Sequence, residues 1–550
     1  WFKARQPRSG AACLAWAKYQ FAHEQKAEAL AGIRRCWLAA TLSFADYQDW
    51  VTASQMSLSE ADHLARADAL LWNRNVTAAR EILPLLSGKA QSVVAARAGV
   101  QSGSDVDVDD AADGAPSPAW AASLHFDQGV RLRKAGKTEN AWSALLEAGK
   151  ASAPSPAYSQ AWWAEHNLQA RAALEADEED TAYKLASRSR LTADVNIAAY
   201  LDAEFLAGWI ALRHTDEPKT ALVHFQNLES AARSPITRAR AAYWKALALK
   251  ARDKDAAAQQ ALAAAAAEPG AFYGRLALEM QGGTASVPAL SAAGPAAQVF
   301  DDVVEASEFL LRIGDNRRAN VFANAAIDGC QSAACAATLS TRLSRTGNTY
   351  GAVRSAKKAQ TLGGLRLAEL YPLVDLPPAC AASGVPAALV LALARQESEF
   401  DPSAVSTANA RGMLQMLPST AHDVARRYGL PYSGAADLHK PEINLSLGCF
   451  HVKDLLDGVG GSWVLTIAGY NAGKARVLGW ASKYGDPRDP KVDVIDWIET
   501  IPFDETRNYV MRVLENYLAY KVRRGETLAA QELNQLLRPA AANTAGAAGR

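Results

Sequence analysis

From its start to about residue 270 the chain repeats one local grammar: an amphipathic helix, a short polar turn, then a second helix with small residues at its contacts. LSEADHLARADALLWNRNVTAAREILPLL (58–86) and FDQGVRLRKAGKTENAWSALLEAG (126–149) follow it, and residues 204–277 follow it most clearly. In that last stretch Gly208, Trp209, Ala221, Phe225, Tyr243, Trp244 and Ala257 fall where paired helices would stack. A period of about 30–40 residues is that of helical-hairpin solenoids. The apolar share of 49% is inflated by alanine, the strongest helix former, which suits close helix packing better than sheets. The expected fold class is therefore all-α, with a superhelix of hairpins over residues 1–277.

A chain of 550 residues exceeds one typical core, so two to four domains are expected. Lys plus Arg and Asp plus Glu both number 58, a balance that gives no electrostatic footprint for nucleic acid or an anionic membrane. The longest uncharged apolar run, 385–394, is too short to span a bilayer, so no transmembrane segment is expected and the chain reads as a soluble globular protein. The opening WFKARQPRSG lacks the order of a signal peptide, and a trimmed mature end would look the same. Of six cysteines, Cys13 with Cys36 and Cys330 with Cys335 could pair in an oxidising compartment; the alternative is six small buried thiols. No Cys/His grouping has metal-ligand spacing, so neither metal nor cofactor is expected. Asp105, Asp107 and Asp109 alternate as in a calcium loop. The sixth position is Asp110 rather than Gly and the twelfth is Pro116 rather than Glu, so a solvated acidic loop is expected.

Residues 284–297, TASVPALSAAGPAA, mark a linker within a short helical domain spanning 278–365. From about 366 to 525 aromatics, glycines and motif-like clusters become dense, which is the size of one domain. The remainder, 526–550, ends in an Ala/Gly-rich stretch expected to be partly disordered.

Within the dense region, LALARQESEF (391–400) continues an apolar run. As a helix from about Pro386 its buried stripe is Pro386, Val390, Leu393 and Ala394, and the next member is Glu397. A carboxylate ending an apolar stripe is either a helix end reaching solvent or an acid whose proton is kept by desolvation. Five further fragments follow in order: S-x-x-x-A-x-G at 406–412, Q-M-L-P-S-T-A at 415–421, P-x-x-N-x-x-L-G at 441–448, YNAG at 470–473 and E-x-I-P-F-x-E-T-R-x-Y-V at 499–510.

Together with Glu397-Ser398 these fragments resemble the catalytic domain of the soluble lytic transglycosylases, itself similar in fold to goose-type lysozyme. EFLAGWIAL (204–212), AAYW (241–244) and FYGRLA (272–277) resemble the large periplasmic type of that family. The resemblance implies a ring- or U-shaped α-superhelix, a short helical linker domain and a C-terminal lysozyme-like domain. It also implies a periplasmic enzyme acting on peptidoglycan glycan strands, as a monomer, with envelope proteins as candidate partners of the superhelix.

The implied reaction uses one carboxylate. Glu397 would protonate the glycosidic oxygen after N-acetylmuramic acid, and then accept the C6 hydroxyl proton as a 1,6-anhydro ring closes. Glu399 points away around the helix and Asp401 lies beyond its end, so no second acid is evident near Glu397. Ser398, Ser406, Met413, Gln415, Met416, Tyr470, Asn471 and Glu499 are the expected substrate-binding residues, each with a structural alternative. Tyr470 would bond the acetamido oxygen or Glu397, with Asn471 supporting it. Relative to the family order, Met413 and Leu414 are exchanged, and either could face the sugar. Glu505 and Arg507 read as a structural pair. A lysozyme-type hydrolase, which needs a second carboxylate, and a passive glycan-binding scaffold are the competing readings.

Overall fold

The computed structural model describes residues 7–39, 41–152, 155–283 and 300–538. The linker stretch 284–297 and the Ala/Gly-rich end from 539 onward lie outside the described residues. Among those described, the chain forms α-helices from Gly10–Ala22 to Glu532–Leu537, joined by short turns and three 3-10 turns, and no strand. The all-α expectation holds. By its internal packing the chain divides into two units, residues 1–232 with 247–254, and residues 233–246 with 255–550.

The first unit is a stack of helical hairpins. Pro118–Lys134 packs on Thr138–Ala151, Ser159–Glu175 on Glu179–Ser187, and Ile197–Arg213 on Pro218–Ala231. Local sequence sets the helix starts. Ser43 with Asp46 and Ser59 with Asp62 form reciprocal capping boxes, while Pro118 and Pro218 occupy first-turn positions that need no N–H donor. Small residues then set how closely partners approach. A Cβ on Gly208 would sit 2.7 Å from the Phe225 ring, so this pair meets backbone to aromatic face, with Trp209, Ala221 and Phe225 all buried. The acidic stretch is less open than expected: Asp107 caps a short helix, Val108–Asp113, by accepting from the Asp110 N–H at 3.1 Å.

In the second unit, Tyr243 and Trp244 are buried as the sequence suggests, but Ala258 rather than Ala257 turns inward there. Helices Asp301–Arg312, Asn316–Gly329, Ala333–Arg345 and Thr349–Thr361 share a small core of Val304, Ala323, Leu339, Leu343 and Ala352. They lead into the motif-rich region, whose centre is helix Ala387–Ser398. The stripe expected there is corrected in two ways: Pro386 is exposed just before the helix, while residues 388–395 are all buried, as in a helix surrounded by others. Helix Asp504–Arg523 is its main neighbour.

Residues 532–537 form a helix rather than a loose end. Buried Glu279 accepts from the N–H groups of Leu533 and Asn534, both at 3.0 Å, and so caps that helix. Cys13–Cys36 and Cys330–Cys335 are disulfides. A third, Cys380–Cys449, was not foreseen; it ties helix Pro378–Ser383 to helix Pro441–Gly458 across 69 residues of sequence. No described helix is long and apolar enough to cross a membrane.

Candidate active site

Glu397 sits in the last turn of the central helix Ala387–Ser398, half-buried at its end. Because apolar residues fill the turn behind it, water reaches its carboxyl poorly. Burial therefore raises its pKa from the ordinary 4.5 to about 7. Two neighbours act on it in opposite senses. Tyr509, from helix Asp504–Arg523, donates its hydroxyl to Glu397 Oε1 at 2.5 Å and favours the ionised form. The Glu505 carboxylate, one helical turn earlier, disfavours it. A carboxyl near pH 7 can both give and take a proton.

Tyr509, which the structure brings onto the Glu397 carboxyl, is absent from the site residues expected from the sequence. The sequence carries it only within the 499–510 fragment, and offers Tyr470 as the partner of either the acetamido oxygen or Glu397. The spacing of Glu505 and Tyr509, four apart and so on one face of a helix, is the signal in the sequence that points to it. Tyr470 instead donates to the backbone carbonyl of Leu414 at 2.7 Å, with Met416 Sδ at 3.8 Å. Burial, joined by the negative charge of Glu397, nonetheless pushes the pKa values of both phenols well up. Both tyrosines thus stay neutral donors around one titrating acid.

The loop at 404–416 forms the other wall. Arg411 and Met416 exchange backbone hydrogen bonds at 3.0 Å, closing a tight hairpin, and Ser406 closes a second turn by accepting from the Ala410 N–H at 3.0 Å. Asn444, fully buried on helix Pro441–Gly458, holds the hairpin. It accepts from the Leu414 N–H at 2.8 Å and donates to Arg411 O at 2.9 Å and Leu438 O at 3.0 Å. Ser398 joins the acid's helix to this loop by donating to Met413 O at 2.8 Å. That bond occupies the Ser398 hydroxyl in positioning the loop rather than in reaching outward.

The other expected contacts divide. Gln415 is half-buried in left-handed backbone, φ +45°, and its amide donates to Gly412 O at 2.9 Å. Met413 and Met416 are 4% and 2% exposed and pack inside the loop, and Leu414 is fully covered beneath Gly448. The exchanged Leu and Met therefore both face inward. Asn471 does not reach Tyr470. Its carbonyl accepts from Thr506 Oγ1 at 2.6 Å and its amide donates to Glu505 at 3.3 Å, fastening the start of the tyrosine-bearing helix.

Glu499 corrects the expectation most. It is fully buried, ion-paired with Arg240 at 2.7 Å and Arg507 at 3.5 Å, and hydrogen-bonded by the Tyr273 hydroxyl. A carboxylate so enclosed is satisfied by structure and offers no surface to a sugar. Arg507 pairs with Glu499 and Asp504, not with Glu505. Glu399 and Asp401 are both committed: the first to Lys357 and Arg354, the second to the backbone and hydroxyl of Ser403. Among the described residues, Glu505, exposed at its helix start, is the only other carboxylate whose charge acts on Glu397. No cluster of metal-ligating side chains occurs among the described residues.

The geometry makes a prediction for Tyr509. Replacing it by Phe removes the hydrogen bond that favours the ionised carboxylate, so Glu397 should titrate above its present value of about 7. The expected shift is about one unit, read by NMR titration of carboxyl-labelled protein. A downward shift would contradict the assigned sign.

A single desolvated acid, ringed by neutral phenols and a backbone hairpin in an all-helical domain, belongs to a recognisable class. Residues 378–492 match the family described as Transglycosylase SLT domain, a span that holds Glu397, the hairpin, Asn444 and Tyr470. The soluble lytic murein transglycosylase of Escherichia coli (strain K12) is 34% identical over 137 residues, 25% of this chain and 20% of that protein. The chain spans about a quarter of the length of the soluble lytic murein transglycosylase relative from Haemophilus influenzae and a fifth of the one from Escherichia coli. Over the fold as a whole the likeness extends much further. The 70 kDa soluble lytic transglycosylase from Escherichia coli superposes with a TM-score of 0.67, covering 96% of this chain and 84% of that one at 19% identity. An inactive mutant of the lytic transglycosylase Slt from Pseudomonas aeruginosa gives 0.68, covering 94% and 82% at 21% identity. Residues 378–492 thus match a transglycosylase SLT domain, and the fold is that of the two solved soluble lytic transglycosylases.

Proposed function

We propose that this chain cleaves the β-1,4 bond between N-acetylmuramic acid and N-acetylglucosamine in peptidoglycan and leaves 1,6-anhydro-muramoyl ends. The observation that carries the proposal is Glu397, a carboxyl raised to about 7 with no second acid held beside it in the same buried setting. In the first step Glu397 gives its proton to the glycosidic oxygen as the bond to the muramoyl C1 breaks. The 2-acetamido oxygen of the same sugar closes on C1 and carries the positive charge, as in substrate-assisted glycosidases. In the second step ionised Glu397 takes the C6 hydroxyl proton, O6 displaces the acetamido oxygen at C1, and the ring closes. Protons balance on one residue and no water is consumed.

Tyr509 holds the carboxyl in register and stabilises its charged interval between the steps. The backbone hairpin and Tyr470 shape the wall against the sugar. Ser406, Gln415 and Asn471 act in this reading through the loop and helix ends that they fix. The motif-rich region from 366 to 525 would be the catalytic domain, the helices of 278–365 its linker domain, and the hairpin stack of 1–277 a surface for glycan or envelope proteins. Three disulfides fit an oxidising compartment, which for this substrate is the periplasm.

Mass spectrometry of fragments from purified peptidoglycan tests the proposal. Muramoyl ends lighter by one water than hydrolysis products are expected. One observation favours a second reading, hydrolysis, since Glu505 lies close enough for its charge to act on Glu397 and could activate a water. Hydrated reducing ends would select that reading, and absence of any fragments would leave only glycan binding.

A further inference from the structure

Immediately after the acid, the backbone does something that side chains resist. Glu399 and Phe400 both adopt left-handed conformations, with φ of +55° and +67°. The helix closes there with the Phe400 N–H reaching back six residues to Ala394 O at 3.4 Å. The left-handed position is usually glycine, which has no Cβ to clash with the backbone. Here it is a glutamate, followed by a bulky aromatic for which positive φ is a genuine outlier. Strain of this kind persists where the surroundings over-determine it, and it gathers at functional sites.

The surroundings do over-determine it. The Glu399 carboxylate pairs with Lys357 Nζ and lies 3.8 Å from Arg354, both on helix Thr349–Thr361. That helix is itself fixed: Val353, Ala356 and Ala359 are fully buried, and Ser355 donates to Ala336 O at 2.8 Å. Phe400 is 2% exposed and packs edge-on to Tyr520. One turn back, Arg395 donates to Leu370 O at 2.8 Å and Asn516 at 2.7 Å. Glu397 therefore lies between two anchored points of its own helix end. With Lys357 and Arg354 keeping 41% and 46% of their side-chain exposure, the pair contributes only about 0–1 kcal/mol to global stability, and a glycine at 399 would relieve that residue's share of the strain, leaving Phe400's. Stability does not account for Glu399.

We propose that Glu399, held by Lys357 and Arg354, is a positioning residue that sets the carboxyl of Glu397 against the glycosidic oxygen. The helices of 301–361 then belong to the catalytic machinery through this one contact rather than serving as a spacer. The inference rests on Glu397 being the acid. It says that rate and stability are set by different requirements at residue 399, which is what the test exploits.

Peptidoglycan cleavage by the full chain is measured for Glu399→Gly, Lys357→Met and their combination, with Glu397→Gln and Arg318→Met alongside. Arg318 forms an exposed pair with Asp315 in the same group of helices and serves as the control. Glu399→Gly should melt at the same temperature or higher, yet lose kcat about five- to twentyfold with KM within about twofold, as a displaced catalytic group does. Lys357→Met should lower kcat in the same way, and the combination should lose no more than Glu399→Gly alone. Wild-type kcat in Glu399→Gly, or losses that multiply in the combination, would overturn the proposal. So would losses that merely follow melting temperature. If Glu397→Gln still cleaves, the acid assignment itself fails; if it is inactive while Glu399→Gly is not, only the positioning role fails.

Discussion

Glu397→Gln should abolish cleavage, by at least ~10³-fold, while making the folded protein more stable at alkaline pH. The two halves share a cause. Glutamine keeps the shape of the side chain and can still accept from Tyr509, but it has no proton to give and no charge with which to take one back. The stability half follows from the direction of the pKa shift. Glu397 titrates near 4.5 in an exposed chain and about 7 in the folded protein, so folding favours the protonated form. The native state thus has no penalty below about pH 4.5, loses stability as pH rises from there through about 7, and loses no more once the folded carboxyl is ionised. Glutamine escapes that loss. The gain should be about 1–3 kcal/mol at pH 8 and close to nothing at pH 4.5, measured by denaturant unfolding at both values. An equal gain at both pH values would mean that desolvation of the carboxylate is not its source. For the wild type the same shift predicts a rate that declines above about pH 7, as the acid form is depleted by about tenfold per unit.

Gly412→Ala should be the most damaging single methyl group in the site. Gly412 has φ +76°, and a Cβ there would overlap Leu438 O and come within 2.5 Å of Asn444 Nδ2. Neither obstacle is the free end of a flexible side chain. Leu438 O is backbone and Asn444 is fully buried, with two bonds to the hairpin and a third to Leu438 O itself. Left-handed strain would add about 1–2 kcal/mol, and each buried polar group left unpaired about 1–3 kcal/mol more. A total near 3–5 kcal/mol is expected, seen as a lower unfolding midpoint, with cleavage reduced even in the fraction that remains folded because the wall facing Glu397 has moved. A loss below about 1 kcal/mol would mean that the hairpin yields readily and is not the fixed wall described.

Much of this was legible in the residues. The hairpin grammar of 58–86, 126–149 and 204–277 depends on local periodicity and small-residue contacts, and such local patterns survive folding unchanged. Glu397 was legible because an apolar run leads into it, although residues 388–395 being buried on every side exceeds what one stripe could say. Contacts between distant segments were not legible. Tyr509 and Glu397 are 112 residues apart, and Cys380 and Cys449 are 69 apart; nothing local ties either pair. Glu499 misled for a related reason. An acid before a proline turn looks exposed until Arg240 and Tyr273, more than 200 residues earlier, close over it. Ser398, Gln415 and Asn471 carry the polar groups expected of sugar contacts, yet the structure commits them to backbone and helix ends. Side-chain chemistry identified the neighbourhood; only packing assigns which atoms remain free to meet a substrate.

The most direct test of the central claim is digestion of peptidoglycan in water enriched in heavy oxygen, followed by isotopic analysis of every new muramoyl end. If one carboxylate closes the ring with the sugar's own C6 hydroxyl, no new end carries the label, and Glu397→Gln yields no new ends at all. Label appearing in the ends would show water attacking C1. That would contradict the single-carboxylate account and transfer the missing role to Glu505.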